Sequence, residues 1–92
     1  MAAVDPSHFS HLSKFFPELT ELQAVHICML VYGCISVEEI AELRSVTTDT
    51  VKESLRSAQK KLGVGSMKLL RSAVICRVLI GISIFIHREN FG

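Results

Sequence analysis

The sequence predicts an all-α fold, a small bundle of four to five helices containing a helix-turn-helix. Three observations predict it. Apolar residues recur at three- and four-residue spacing along most of the chain. Asp5, Thr20, Ser36, Thr47 and Ser66 stand where helices need N-terminal caps. Residues 38–64 (EEIAELRSVTTDTVKESLRSAQKKLGV) read as two helices joined by a tight turn, the second studded with Lys and Arg. The 92 residues hold one domain, with a composition rich in Leu, Ile and Val and no Pro- or Ser-rich tract. A chain this short buries about 60–65% of its unfolded surface, so association with a partner would help it.

Each element has its own signals. Asp5-Pro6 is a capping side chain followed by proline at the first helical position, and Phe9, Leu12, Phe15 and Phe16 follow at helical spacing. Pro17 ends this segment, expected over about residues 6–15, whose aromatic stripe either covers the rest of the fold or meets a partner. Thr20 caps a second helix, about 21–32, with Leu22, Val25, Met29 and Leu30 inward and Gly33 as its stop. His26 inside it reads as a packed or hydrogen-bonded residue rather than a ligand. Ser36 and Glu39 have the spacing of a capping box, opening a short helix over 37–44 with Ile40, Ala41 and Leu43 inward. Thr47 caps a longer helix, about 48–62, with a seam of Val51, Leu55, Ala58 and Leu62; Gly63 ends it and Val64 can cover its last turn.

Ser66 caps a final helix that begins with Leu69, Leu70, Ala73 and Val74. Its continuation, residues 78–86 (VLIGISIFI), carries no charge. With Arg71 and Arg77 in the helix that leads into it, the apolar stretch reads as too short and too interrupted to cross a bilayer. An apolar segment of this kind must be covered, and dimerisation through Val78, Ile82 and Phe85 is the leading expectation. Folding back over the core and peripheral membrane contact are the alternatives, and the β-branched residues leave open an extended segment after Gly81.

Charge is unevenly distributed. Residues 1–43 carry one basic and six acidic side chains, a net −5, whereas residues 44–77 carry eight basic and two acidic ones, a net +6. A basic half on a nearly neutral chain is the pattern of a localised phosphate-binding face. Cys28, Cys34 and Cys76 are odd in number and lack metal-ligand spacing, and the N-terminus has neither the basic start nor the apolar core of a secretory signal. Free thiols and a cytoplasmic location are therefore expected, with Cys28 and Cys76 as small core residues.

The central segment resembles the LuxR-type (GerE/FixJ/NarL-like) DNA-binding domains. Leu19-Thr20 and Gly33 frame the first block of that pattern. Ser36, Glu39-Ile40-Ala41, Val46-Thr47, Thr50-Val51-Lys52 and Lys61-Leu62-Gly63-Val64 fill the others, so that the match covers about residues 19–75. The chain departs from the pattern in several places. The usual Arg-Glu pair falls on Leu22-Gln23, an aliphatic position is His26, and the Lys before E-I-A is Glu38. The inward Leu of that helix falls on Arg44, and the His after T-V-K-x is Ser54.

The resemblance implies a standalone regulator in which helix 48–62 reads the major groove of double-stranded DNA. Lys52, Glu53 and Arg56 would face base edges. Lys and Arg can donate to guanine O6 and N7, and Glu can accept from a cytosine amino group. Thr48, Thr50 and Lys60 suit phosphate contacts, which fix register without reading sequence. The chain thus divides into an N-terminal extension (1–18), a LuxR-like helix-turn-helix domain (19–76) and an apolar tail (77–92) expected to form a homodimer. No nucleophile–base pair, carboxylate pair or glycine-rich phosphate loop stands out. His8 and His11 have no further ligand placed beside them, so no enzyme, cofactor or metal is expected. A second expectation keeps the same fold as a protein-interaction module that modulates another transcription regulator, favoured by Glu38, Glu53, Ser54 and the apolar tail.

Overall fold

The computed structural model describes residues 5–33 and 35–91, and among these all regular structure is helical. Five α-helices occur in the order α1 (Pro6–Phe9), α2 (Glu21–Val31), α3 (Val37–Arg44), α4 (Thr48–Lys61) and α5 (Met67–Phe91), with a 3₁₀ segment (Ser10–Phe15) between the first two. The small helical bundle expected from the sequence is what the chain forms. Cys34, expected as a free thiol, lies outside the described residues.

The helix expected over residues 6–15 is divided, and serine chemistry explains the division. Asp5 accepts from the Ser7 backbone N–H at 3.0 Å and starts a single α turn. The Ser10 and Ser13 hydroxyls then donate to the Ser7 and Ser10 carbonyls, both at 2.8 Å. These three-back bonds accompany the tightening to 3₁₀ geometry.

Helix α2 is the centre of the molecule. Thr20 and Gln23 form a complete capping box at its start. Every residue from Ala24 to Val31 is buried, so this part of the helix is enclosed all round rather than on the one side expected. Leu22 is exposed instead of inward, because the first turn precedes the point where the helix enters the core. His26 is wholly buried here, with neither ring nitrogen hydrogen-bonded among the described residues.

Helix α3 opens on the Ser36–Glu39 capping box. Ile40 and Ala41 are buried but Leu43 is exposed, which corrects its expected inward role. At 3.6 residues per turn, the position that follows Ile40 and Ala41 onto the inner face is 44. Arg44 stands there half-buried, with its charge near enough to His26 to disfavour a second cation. The helix ends with Ser45 in the left-handed region at φ 55°, where the Val46 N–H reaches the Ala41 carbonyl at 3.0 Å and the Ser45 N–H the Glu42 carbonyl at 3.2 Å. A side chain in that conformation costs about 1–2 kcal/mol, against about 0.5–1 kcal/mol for the extra chain entropy of glycine. Ser45→Gly is therefore expected to raise stability by about 0.5–1 kcal/mol, measured as a higher urea midpoint with an unchanged slope.

The same motif closes α4, with Gly63 at φ 70° and the Val64 N–H on the Gln59 carbonyl at 3.1 Å. Val51, Leu55 and Ala58 form the buried seam, Leu62 and Val64 pack against the core, and Ser54 is buried beside the seam. Between α3 and α4 lie three residues, which gives the helix, turn, helix order expected.

Helix α5 is capped by Ser66, whose hydroxyl accepts from the Leu69 N–H at 3.2 Å, and it runs unbroken through Gly81. The extended alternative after Gly81 is not adopted. Leu70, Val74 and Val78, four apart, pack into the core and Tyr32 donates from its hydroxyl to the Val74 carbonyl at 3.2 Å. Cys76 is on the other side of this stripe and is exposed, not a core residue as expected. Val78 is likewise corrected: it is spent on the core of its own chain and has no surface to offer a second copy. The expectation that the apolar stretch is too short to span a bilayer also changes, since the continuous helix is long and apolar enough by length and composition.

Residues 5–18 are not an appendage. Phe16 is fully buried, Glu18 pairs with Arg77, and the Arg77 guanidinium lies 5.5 Å from the Phe16 ring centroid. The hydrogen bond from Arg77 holds the Glu18 carboxyl below its ordinary range. A Cβ at Gly81 would collide with the Phe15 ring, so the absent side chain is what lets the 3₁₀ segment lie against α5. The proposed boundary between residues 76 and 77 falls inside α5.

Candidate nucleic-acid interface

The outer side of α4 is set by the burial of its inner side. With Val51, Ser54, Leu55 and Ala58 buried, the 3.6-residue period turns Lys52, Glu53, Arg56 and Lys60 to solvent, and all four are exposed. Thr50 is exposed at the start of the helix and Thr48 is half-buried. The structure therefore brings the base-facing candidates onto one surface. The two threonines stand at the helix start, about three turns from Lys60 at the other end.

Thr47 accepts from the Thr50 N–H at 3.1 Å, and its hydroxyl lies 2.9 Å from the Thr50 hydroxyl. Thr50 is thus engaged in the cap, but a hydroxyl with one hydrogen-bond partner still has capacity for another. Glu53 and Arg56 form an ion pair at 3.4 Å, with both side chains about 71% exposed. Exposed pairs of this kind contribute about 0.2–1 kcal/mol. A bidentate contact between Arg and guanine discriminates by about 1–3 kcal/mol. The guanidinium can therefore exchange its carboxylate for a base edge at small cost.

The surface has an additional member that sequence reasoning placed only as a departure from a motif. Gln23, from the first turn of α2, joins Asp49, Thr50, Glu53, Ser54, Arg56 and Ser57 around an open polar hollow of about 530 Å³. Its Oε1 accepts from the Thr20 N–H at 3.1 Å and from Lys61 Nζ at 3.0 Å, which fixes the side chain and leaves its amide N–H groups to donate. The signal was present in the T-x-x-Q spacing of Thr20 and Gln23, but the approach of α2 to α4 that gives it a role is tertiary.

Charge on this surface is mixed. Lys52 and Lys60 have no acidic side chain within ion-pair distance among the described residues, while Asp49 and Glu53 place two carboxylates on the same helix. Helix α3 adds exposed Glu38, Glu39 and Glu42 beside it. No group of three or more His, Cys, Asp or Glu is arranged to hold a metal ion among the described residues. Compared with known proteins, the chain matches no family model, no curated protein and no solved structure. The LuxR-type resemblance consequently rests on the motifs in residues 19–75 alone.

The dimerisation candidates divide. Ile82 and Phe85 are exposed on α5, in company with Ile75, Leu79, Ile80, Ile84 and Ile86. Leu79 and Ile80 keep about 60% of their surface open. Scattered exposed apolar residues need no explanation, but a contiguous run of this kind marks a surface that meets something.

Proposed function

We propose that this chain is a DNA-binding transcriptional regulator of LuxR-like design that lays α4 in the major groove and acts as a homodimer through α5. The observation that carries the reading is the single exposed row of Lys52, Glu53, Arg56 and Lys60, set opposite the buried seam of a helix that follows a three-residue turn. Lys52 and Arg56 donate to guanine, Glu53 accepts from cytosine or holds Arg56 until a base displaces it, and Thr48, Thr50 and Lys60 position the backbone. The test is a titration against random duplex DNA at several salt concentrations. Direct binding gives an affinity that falls steeply with salt, because each neutralised phosphate releases counterions. Absence of binding at low salt by folded protein would sink the reading.

Lipid is a poor match for α5 despite its length. One face of its first half is committed to the core through Leu70, Val74 and Val78, and Lys68, Arg71 and Arg77 charge the same half, so Leu79 to Ile86 is the uncharged part left open. Eight residues span about 12 Å at 1.5 Å each, against a hydrocarbon core of about 30 Å. Ile75, Leu79, Ile82 and Ile86, spaced four, three and four, instead form the stripe that two helices share. Ile82→Asp is expected to convert the dimer to monomer in sedimentation experiments without unfolding it, since Ile82 is exposed in the single chain. A dimer that survives this change, and Ile84→Asp as well, would show that α5 is not the interface.

The second reading is a protein-interaction module that modulates another transcription regulator. The Glu53–Arg56 pair and the exposed Glu38, Glu39 and Glu42 favour it, since acidic groups near a phosphate backbone are repelled. A folded dimer that fails to bind duplex DNA at low salt would decide for this module.

A further inference from the structure

A second concave surface lies away from α4, between the 3₁₀ segment and α5. Leu12, Phe15, Ile82 and Phe85 form its apolar lining and His11 and Lys14 its rim, around about 210 Å³. The groove depends on Gly81, which lets the Phe15 ring settle against the helix. Lys14 Nζ stands 5.5 Å from the centroids of both Phe15 and Phe85, so one ammonium bridges the two walls. It makes no ion pair among the described residues. The nearby acids in sequence are taken, Glu18 by Arg77 and Asp5 by the Ser7 N–H and hydroxyl. His11, three residues before Lys14, is also exposed and lacks a carboxylate partner among the described residues.

An apolar groove with an uncompensated cation at its mouth is complementary to an anion that carries an apolar chain. At about 210 Å³ it falls below the range of about 300–1,000 Å³ typical of sites for drug-sized ligands, which suits an unbranched chain better than a fused ring system. Beyond it the exposed Leu79 and Ile86 continue the apolar surface. We propose that this groove binds the carboxylate of a free, medium-chain alkyl acid, with the headgroup at Lys14 and His11 and the chain between Phe15 and Phe85. The alternative for Lys14 is simple coverage, its stem lying on the rings and its ammonium in water. The proposal uses no part of α4 and stands independently of DNA binding, but it shares Ile82 with the stripe proposed for the dimer, so the acid and a second copy of the chain compete for α5.

The test is calorimetric titration of the full chain with decanoate, decanol and decyltrimethylammonium, all below the concentrations at which the amphiphiles form micelles. Decanoate is expected to saturate at one per chain, decanol to bind at least tenfold more weakly, and the cation to give no heat of binding. Lys14→Glu, on an exposed site that does not threaten folding, is expected to weaken decanoate at least tenfold and to admit the cation. Lys14→Ala should bring decanoate and decanol to similar affinity. Equal binding of decanoate and decanol by the unaltered chain, or indifference of decanoate to Lys14→Glu, would reduce the site to apolar adsorption on α5 and overturn the proposal. So would no binding, as when a second copy of the chain or another protein already fills the groove.

Discussion

Under the proposed function, Lys52→Ala combined with Arg56→Ala is expected to weaken DNA binding by at least about 30-fold at moderate salt while leaving the helical content unchanged. Each side chain is exposed and neither belongs to the core, so neither supports the fold. Each base contact of this type supplies about 1–3 kcal/mol, and two at the lower limit already give about 30-fold. Among the described residues, the ion pair broken is the exposed Arg56–Glu53 one, whose loss costs less than about 1 kcal/mol.

Controls separate reading from mere attraction. Lys60→Ala should weaken all duplexes alike and make the salt slope shallower by about one unit, as for a lost phosphate contact. Glu53→Ala should relax the preference at one base pair while raising non-specific affinity. A double variant that binds as tightly as the parent, with the same salt slope, would remove α4 from any DNA interface.

The second large effect concerns stability. His26→Met is expected to stabilise the protein by about 1–3 kcal/mol near neutral pH and by more in acid. Both ring nitrogens of His26 are buried and without hydrogen-bond partners among the described residues, a condition that costs about 1–3 kcal/mol per unsatisfied group. Methionine is unbranched and can fill the space without a polar atom.

The pH dependence follows from the same burial. Loss of solvent, reinforced by the nearby Arg44 charge, lowers the His26 pKa from its ordinary 6.5. The unfolded chain therefore binds a proton that the folded chain refuses. The contribution is intact above about pH 6.5 and is lost as pH falls from there toward the lowered folded value. Urea midpoints measured between pH 7 and 4.5 should decline more steeply for the parent than for His26→Met. Parallel declines would show that His26 is not what limits the protein in acid. Cys28, also buried, does not enter this window, since burial pushes its thiol up to about 12.

Much of this architecture was legible in local chemistry. Thr20, Ser36, Thr47 and Ser66 start helices where capping side chains should, and Gly63 ends α4 because a positive φ there carries no side-chain cost. The Val51–Leu55–Ala58 seam, and with it the outward row on α4, followed from helical periodicity alone. Hydrophobicity by itself misplaced other positions. Leu43 is exposed and Arg44 half-buried because the helical period carries 44, not 43, onto the face of Ile40 and Ala41. Cys76 and Val78 have similar surroundings in sequence, but the direction from which the core approaches α5 buried one and exposed the other.

What the sequence alone determined about this protein is its all-helical character, the caps and stops of the segment around residues 38–64, and which residues of α4 face away from the core. Capping and periodicity are interactions within a few residues, so a linear text contains them. Tertiary structure decided that α2 is enclosed on every side, that His26 is left without a partner, that Gln23 stands beside Glu53 and Arg56, and that Phe15 lies on Gly81 to build a groove. Each of these depends on how two elements distant in sequence approach one another, and that distance is set by close packing of the whole core.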